Sequence, residues 1–154
     1  MFLQFIVDKK FKQSELTDNY KGIMLKKHFK GTQNSHKIKF HISAVNFLID
    51  QKDGYVIFDP TMYIKTDSNL NYELFENILD TLGIPSTKYC SREKQIDESL
   101  LKNRNSIAHG QKCNVSKEEF ISLFDDIISL ITNFKDDLQN ICATEAYKIK
   151  SSKV

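Results

Sequence analysis

The chain has 154 residues, of which 40% are hydrophobic and 27% charged, with three cysteines, no tryptophan and a formal net charge of +2. That is enough for one domain with a real core, and too apolar for an intrinsically disordered chain. No apolar run approaches the ~18–20 residues of a membrane span, and so small a net charge does not by itself mark a nucleic-acid binder.

The charge is unevenly placed. Lys9, Lys10, Lys12, Lys21, Lys26, Lys27, Lys30, Lys37 and Lys39 face only Asp8, Glu15 and Asp18 in residues 1–41. Between Glu118 and Glu145 the balance reverses, with Glu118, Glu119, Asp125, Asp126, Asp136 and Asp137 against Lys135. Such asymmetry suits one face for a polyanion and another for solvent or a basic partner. For any single lysine, a solvated arm is an equal reading. The N-terminal Met1-Phe2-Leu3-Gln4-Phe5-Ile6-Val7 is too short for a signal h-region and lacks a basic n-region and cleavage site. Cys90, Cys113 and Cys142 are odd in number and widely spaced, which favours free thiols in a reducing cytoplasm, the expected location.

In chain order, residues 1–12 fit a short strand or an ordered arm. Ser14 to Lys30 reads as a helix, with Leu16, Tyr20, Ile23, Met24 and Lys27 at steps of three and four and Gly31 as a C-terminal cap. Gly22 sits awkwardly inside it. In the next stretch Ile38, Phe40 and Ile42 alternate like a strand, while Ile38, Ile42, Val45 and Ile49 fit a helix face. A hairpin across Asp53-Gly54 and a helix followed by an extended Tyr55-Val56-Ile57-Phe58 both remain open, with Ser43 to Asp50 readable as a buried helix.

From Asn71 the pattern is clear. Leu74, Phe75, Ile78, Leu79 and Leu82 form one stripe, Asp67, Ser68, Asn69 and Asn71 offer caps, and Gly83 and Pro85 end the helix. Residues 86–94 read as a polar connection. A second helix runs from about Lys94 to His109 with Ile96, Leu100, Leu101 and Ile107 inward and Gly110 as its C′ residue. Ser116 and Glu119 form a capping box, with Val115 and Phe120 placed for a hydrophobic staple. The helix they open carries Phe120, Phe124, Ile127, Ile131, Phe134, Leu138 and Ile141, a 4-3 seam of the kind that packs on other helices. Lys148 to Val154 are expected to fray. The plan is all-α, with an antiparallel helix hairpin around Gly110 and room for one small β-hairpin near 38–58.

The stretch Asn103-Arg104-Asn105-Ser106-Ile107-Ala108-His109-Gly110 sits at the corner of that hairpin. On an ideal helix, Arg104 and His109 stand ~140° apart and ~7.5 Å along the axis, so they do not share a face. Their functions meet only if the helix ends early and the histidine swings, or if a second copy completes the site across a two-fold axis. The residue types suit phosphodiester chemistry. Arginine presents a charged fork to phosphate oxygens and to charge growing on phosphorus. Histidine moves a proton near neutrality, favoured as the imidazolium by a helix C-terminus and opposed by a nearby arginine. Asn105 can fix a tautomer or hold a phosphate. The plain structural alternative is a histidine giving a favourable C-terminal charge and an arginine whose stem covers a neighbouring helix.

Arg104-Asn105-Ser106-Ile107-Ala108-His109-Gly110 resembles the R-x(4–6)-H signature of the HEPN superfamily, in the form typical of prokaryotic toxin–antitoxin and anti-phage members. The resemblance extends back through Thr66 to Asn71, the helix to Leu82-Gly83 and the Ile96–Leu101 run, and forward through Ser116 to Phe120 into the long helix. It covers about residues 64–142, within a single HEPN-like domain 1–154 whose residues 1–41 form a basic N-terminal part. The resemblance implies an α-helical bundle that dimerises, with both motifs in one cleft, and a metal-independent endoribonuclease that leaves cyclic-phosphate ends. By position Arg104 would bind phosphate, His109 act as general acid/base and Asn105 support them, with Lys102 and Lys112 as RNA-binding candidates. It also implies RNA, a second copy and an antitoxin protein as partners, no cofactor and no membrane. Some HEPN toxins carry a modifiable tyrosine two residues after the histidine, where this chain has Gln111. Other members are inactive and only bind RNA or protein, which is the alternative reading.

No further constellation competes. His28, His36 and His41 match no zinc spacing, and His109 with Cys113 is a lone H-x3-C, so no metal is expected. Tyr20, Phe29 and Phe40 among the lysines can stack on bases, although core packing is the better reading for most of them.

Overall fold

The computed structural model describes residues 2–29, 37–64, 71–111 and 115–150. It is helical throughout, and the β contacts among the described residues are two isolated bridges, Lys12 with Tyr55 and Leu16 with Lys148. Its contacts gather into two compact units, one of Met1–Lys65, Thr81–Gly83 and Ile141–Val154, the other of Thr66–Asp80 and Ile84–Asn140.

In the first unit, residues 2–8 are neither strand nor arm. They form helix α1 (Phe2–Asp8), which buries Leu3 and Ile6. The expected helix from Ser14 is split. Gln13–Glu15 makes a separate 3-10 turn, because Leu16 takes an extended conformation (φ −105°, ψ 151°) to bridge Lys148. Helix α2 (Asp18–His28) follows, burying Tyr20, Ile23 and Met24, with Phe29 at its C-cap; Gly31 lies outside the described residues. Lys148 and Ile149, expected to fray with the residues after them, are held instead, and residues 151–154 lie outside the described residues. The Ile149 N–H donates to the Glu15 carbonyl at 2.9 Å, and the Thr17 N–H to the Tyr147 carbonyl at 3.1 Å. The buried Tyr147 ring meets Phe2, Phe5 and Phe11 at centroid distances of 5.6–6.1 Å, mostly edge-on as ring quadrupoles prefer.

Helix α3 (Ile38–Asp50) settles the 38–58 ambiguity, since Asp53-Gly54 turns no hairpin and Tyr55 bridges Lys12. It is not a buried helix. Phe40, Ala44, Phe47 and Leu48 are half-buried, and Ile38, Ile42, Val45 and Ile49 all face out. His28 stacks on Phe47 at 4.1 Å and Phe29 meets Phe40 at 4.8 Å, so the aromatics among the lysines serve packing. Two local choices in this unit are unfavourable. Gly22 in mid-α2 costs about 0.8–1.0 kcal/mol relative to alanine. Gln13 is 2% exposed, and its Nε2 has no hydrogen-bond partner among the described residues, a loss of about 1–3 kcal/mol.

The second unit is built on helix α4 (Tyr72–Leu82). Of the four proposed caps, Asn71 is the one seen, its Oδ1 accepting from the Leu74 N–H at 2.8 Å; Asp67, Ser68 and Asn69 lie outside the described residues. Phe75, Ile78, Leu79 and Leu82 are buried, and Gly83 (φ +77°) turns the chain as expected. Residues 86–92 are a 3-10 helix rather than a loop, and Tyr89 is buried in it against Phe75 at 5.3 Å. The Tyr89 hydroxyl donates to Asp137 at 2.8 Å and the Lys88 ammonium to the same carboxylate at 2.6 Å. Asp137 belongs to helix α6 (Lys117–Ala143), 27 residues long. Its capping box is present in both directions, Ser116 N–H to Glu119 at 2.8 Å and Glu119 N–H to the Ser116 hydroxyl at 3.1 Å.

The α6 seam does not pack as expected. Ile127, Phe134, Leu138 and Ile141 are half-buried, while Phe120, Phe124 and Ile131 are 54–62% exposed. Val115 and Phe120 also stay exposed, so the box rather than the staple fixes this end.

Burial works against ionisation of Asp137, but the bonds from Lys88 and Tyr89 outweigh it and hold its pKa below the usual aspartate value. Burial, then the Asp137 carboxylate, pushes the Tyr89 phenol well up. Because the folded carboxyl titrates lower than the unfolded one, its contribution is full above the unfolded value of about 3.9 and is lost as pH falls through the folded value. Asp137→Asn is therefore expected to cost roughly 1–3 kcal/mol at pH 7. Urea titrations of both proteins between pH 7 and pH 2.5 should show that difference shrinking at the acid end.

Candidate active site

The motif lies on one continuous helical stretch from residue 93 to residue 108. Its first part, Gln95–Leu101, is π-helical and its last part is helix α5 (Lys102–Ala108). A π turn takes up roughly one extra residue, which offsets the faces beyond it by about 100° from a straight α-helix. This is why Ile96 is buried as expected, yet Ile107, eleven residues on, is 65% exposed instead of inward. Leu100 and Leu101 are half-buried.

Two contacts hold the start of this stretch. The Asp97 carboxylate accepts from the Tyr72 N–H at 2.7 Å, satisfying an orphan donor at the α4 N-terminus. Arg92 donates to Gln95 at 2.9 Å, to Ser129 at 3.3 Å and, less closely, to Asp126 at 3.4 Å on α6. Neither residue stands out in the sequence, because the partners on α4 and α6 are 25–37 positions away.

At the other end the chain stops the helix as Gly110 predicts. Gly110 takes φ +66°, its N–H bonds the Ile107 carbonyl at 3.0 Å, and the Gln111 N–H bonds the Ser106 carbonyl at 2.8 Å. This is the Schellman pattern. His109 is the C-cap itself (φ −91°, ψ 9°), and its N–H donates to the Asn105 carbonyl at 3.0 Å. The helix thus ends one residue before the histidine.

Arg104 and Asn105 are brought together, with Arg104 Nη1 donating to Asn105 Oδ1 at 3.2 Å. Arg104, His109 and Lys102 are exposed and Asn105 is half-buried. Lys112 and Cys113 lie outside the described residues, as does His36. A cavity of about 310 Å³ beside the helix is lined by Ser99, Asn103, Glu119, Ser122 and Asp126 and contains none of the three motif residues. Its two carboxylates make it a poor seat for a phosphate.

The family model RiboL-PSP-HEPN matches residues 2–140. The chain belongs to this HEPN family. The match reaches back to Phe2, well before the recognisable stretch that starts near residue 64, and so takes in the N-terminal helices. No curated protein and no solved structure matches the chain. HEPN membership supports a ribonuclease or an RNA-binding module. The all-α architecture agrees with it, and no described helix is long and apolar enough to cross a membrane. Cys90 and Cys142 are free and exposed.

A Cβ at Gly110 would meet nothing within 4 Å, so any penalty there comes from the backbone alone. Gly110→Ala is expected to cost about 1–2 kcal/mol, the price of a left-handed L-residue, and Gly110→Asn clearly less, as read from urea unfolding midpoints.

Proposed function

We propose that this HEPN protein is a metal-independent endoribonuclease, acting as a toxin or defence effector, whose site is completed by a second copy of the chain. The observation that carries this reading is the exposure of Arg104 and His109 at the end of a firmly capped helix, with Asn105 bonded to the arginine. One chain offers half a site. In the completed cleft, one His109 takes the proton of an RNA 2′-hydroxyl, whose oxygen attacks the adjacent phosphorus. The 5′-oxygen leaves and is protonated by the other His109, giving a 2′,3′-cyclic phosphate and a free 5′-hydroxyl. The arginines stabilise charge on the non-bridging oxygens. Lys102 on the same helix, and Lys112, supply sequence-independent contacts to the RNA backbone.

The same unit supports the second copy. Phe120, Phe124, Ile128 and Ile131 lie exposed along α6, and Ile107 between the two motif residues is exposed as well. A row of that size on a soluble protein marks an interaction face, and a self-complementary patch is what a two-fold dimer needs.

His109→Ala and Arg104→Ala are each expected to lower RNA cleavage by at least ~10²-fold while the oligomer stays intact by light scattering. Cleavage should persist in EDTA. Intact RNA after long incubation with the wild type, alongside salt-sensitive binding, would instead make the chain a non-catalytic HEPN RNA-binding module.

The dimer face has its own readout. Phe124→Glu is expected to give a folded monomer by circular dichroism and sedimentation, with cleavage lost although every motif residue is present. Monomers that cleave at the wild-type rate would refute the composite site.

A further inference from the structure

A second site lies in the first unit, and two residues that weaken that unit converge on it. A groove of about 800 Å³ opens between α2, α3 and the Gln13–Glu15 turn, well inside the size range of small-molecule sites. Leu25, Leu48, Ile49 and Ile149 make its walls aliphatic. Gly22 lines it, and a Cβ built on that glycine would meet nothing within 4 Å, so no packing against protein requires a glycine in mid-helix. Gln13 lines it too, the one buried polar side chain in its lining, with its Nε2 unpartnered.

A ligand resolves both. Gly22 leaves room for an apolar body, and Gln13 Nε2, sealed from solvent as the side chain now lies, gains an acceptor on that ligand once the amide turns toward the groove. The charge at the rim fixes the sign of the rest. Asp18 and Lys21 neutralise each other in a 2.7 Å pair, and Lys52 leaves the rim with a net positive charge. An acceptor-rich anion suits that set. No aromatic ring or arginine lines the groove, so a nucleobase has no platform to stack on, whereas a flexible alkyl chain fits aliphatic walls. We propose that the groove binds a medium- or long-chain carboxylate, its alkyl chain against Gly22, Leu25, Leu48 and Ile149 and its carboxylate accepting from Gln13 beside Lys52. This site is independent of the ribonuclease reading.

The test is calorimetric titration of the full chain with dodecanoate below its micelle concentration, and with dodecyltrimethylammonium as the same chain bearing the opposite charge. Dodecanoate is expected to saturate one site per chain, and the cation to bind at least tenfold more weakly. Gly22→Leu fills the groove and Gln13→Leu removes the donor. Each should weaken dodecanoate at least tenfold while holding or raising Tm, because each replaces a locally unfavourable residue. Lys52→Glu, on the exposed rim where folding is not at stake, should weaken dodecanoate and narrow the gap to the cation. The proposal is overturned by the absence of saturable dodecanoate binding, by equal affinity for the two amphiphiles, by unchanged binding in the variants, or by displacement of dodecanoate by adenosine monophosphate.

Discussion

One carboxylate organises the motif-bearing unit. Asp137 accepts from Lys88 and Tyr89 at once, and so fixes the 3-10 segment that leads into the motif helix against α6. A largely buried carboxylate is costly unless its lone pairs are used, and a half-satisfied one is worse than none. Here a cation and a buried phenol use them. The neighbouring Arg92–Asp126 pair, longer at 3.4 Å and more exposed, is of the kind that contributes ~0.2–1 kcal/mol. The anchoring is therefore unequal along the helix. Its start is bound firmly through Asp137, Arg92 and Asp97, and its end carries the motif out into solvent.

That arrangement bears on function through α6. A 27-residue helix with no fully buried residue draws little stability from the contacts that one chain gives it. In proteins most helical stability comes from packing an amphipathic face, and α6 leaves Phe120, Phe124, Ile128 and Ile131 without such a contact. The capping box secures the first turn only. In the proposed dimer, a second copy against this face would supply what the long helix lacks, and in doing so bring in another exposed Arg104 and His109. On that proposal, stability and the completion of the site would follow from one association.

What the residues announced in advance were local features: the stripe of α4, the caps at Asn71 and Ser116, the turns at Gly83 and Gly110, and the motif itself. These depend on neighbours a few positions apart, where periodicity and capping chemistry act. What they hid depends on distant partners. Leu16 leaves the helix because Lys148 pairs with it, and Lys148 and Ile149 are held for the same reason. Ile107 lies on the outside because a π turn shifts the register, and no residue type signals such a turn. The α6 seam is visible in the spacing, but spacing does not say whether its partner is in the same chain or in another. The motif stands out in the sequence through its residue types and spacing, and the structure places Arg104, Asn105 and His109 at one helix end, while Lys112 and Cys113 lie outside the described residues.

The two informative glycines separate structure from function in opposite ways. Gly110 obeys every local rule: a left-handed residue at C′, with both Schellman bonds made. Roughly a third to a half of helices end with such a left-handed residue, so the glycine of the motif is no evidence for catalysis, and that reading stands on Arg104, Asn105 and His109 alone. Gly22 breaks the local rule, since it weakens a helix at a position where a side chain would meet open space. Sequences that specify one fold are consistent across levels, and departures from that consistency concentrate at functional sites. By that criterion the departure lies in the first unit, where Gly22 and the unpaired Gln13 line one groove. The conspicuous glycine is a cap, and the inconspicuous one points to a ligand.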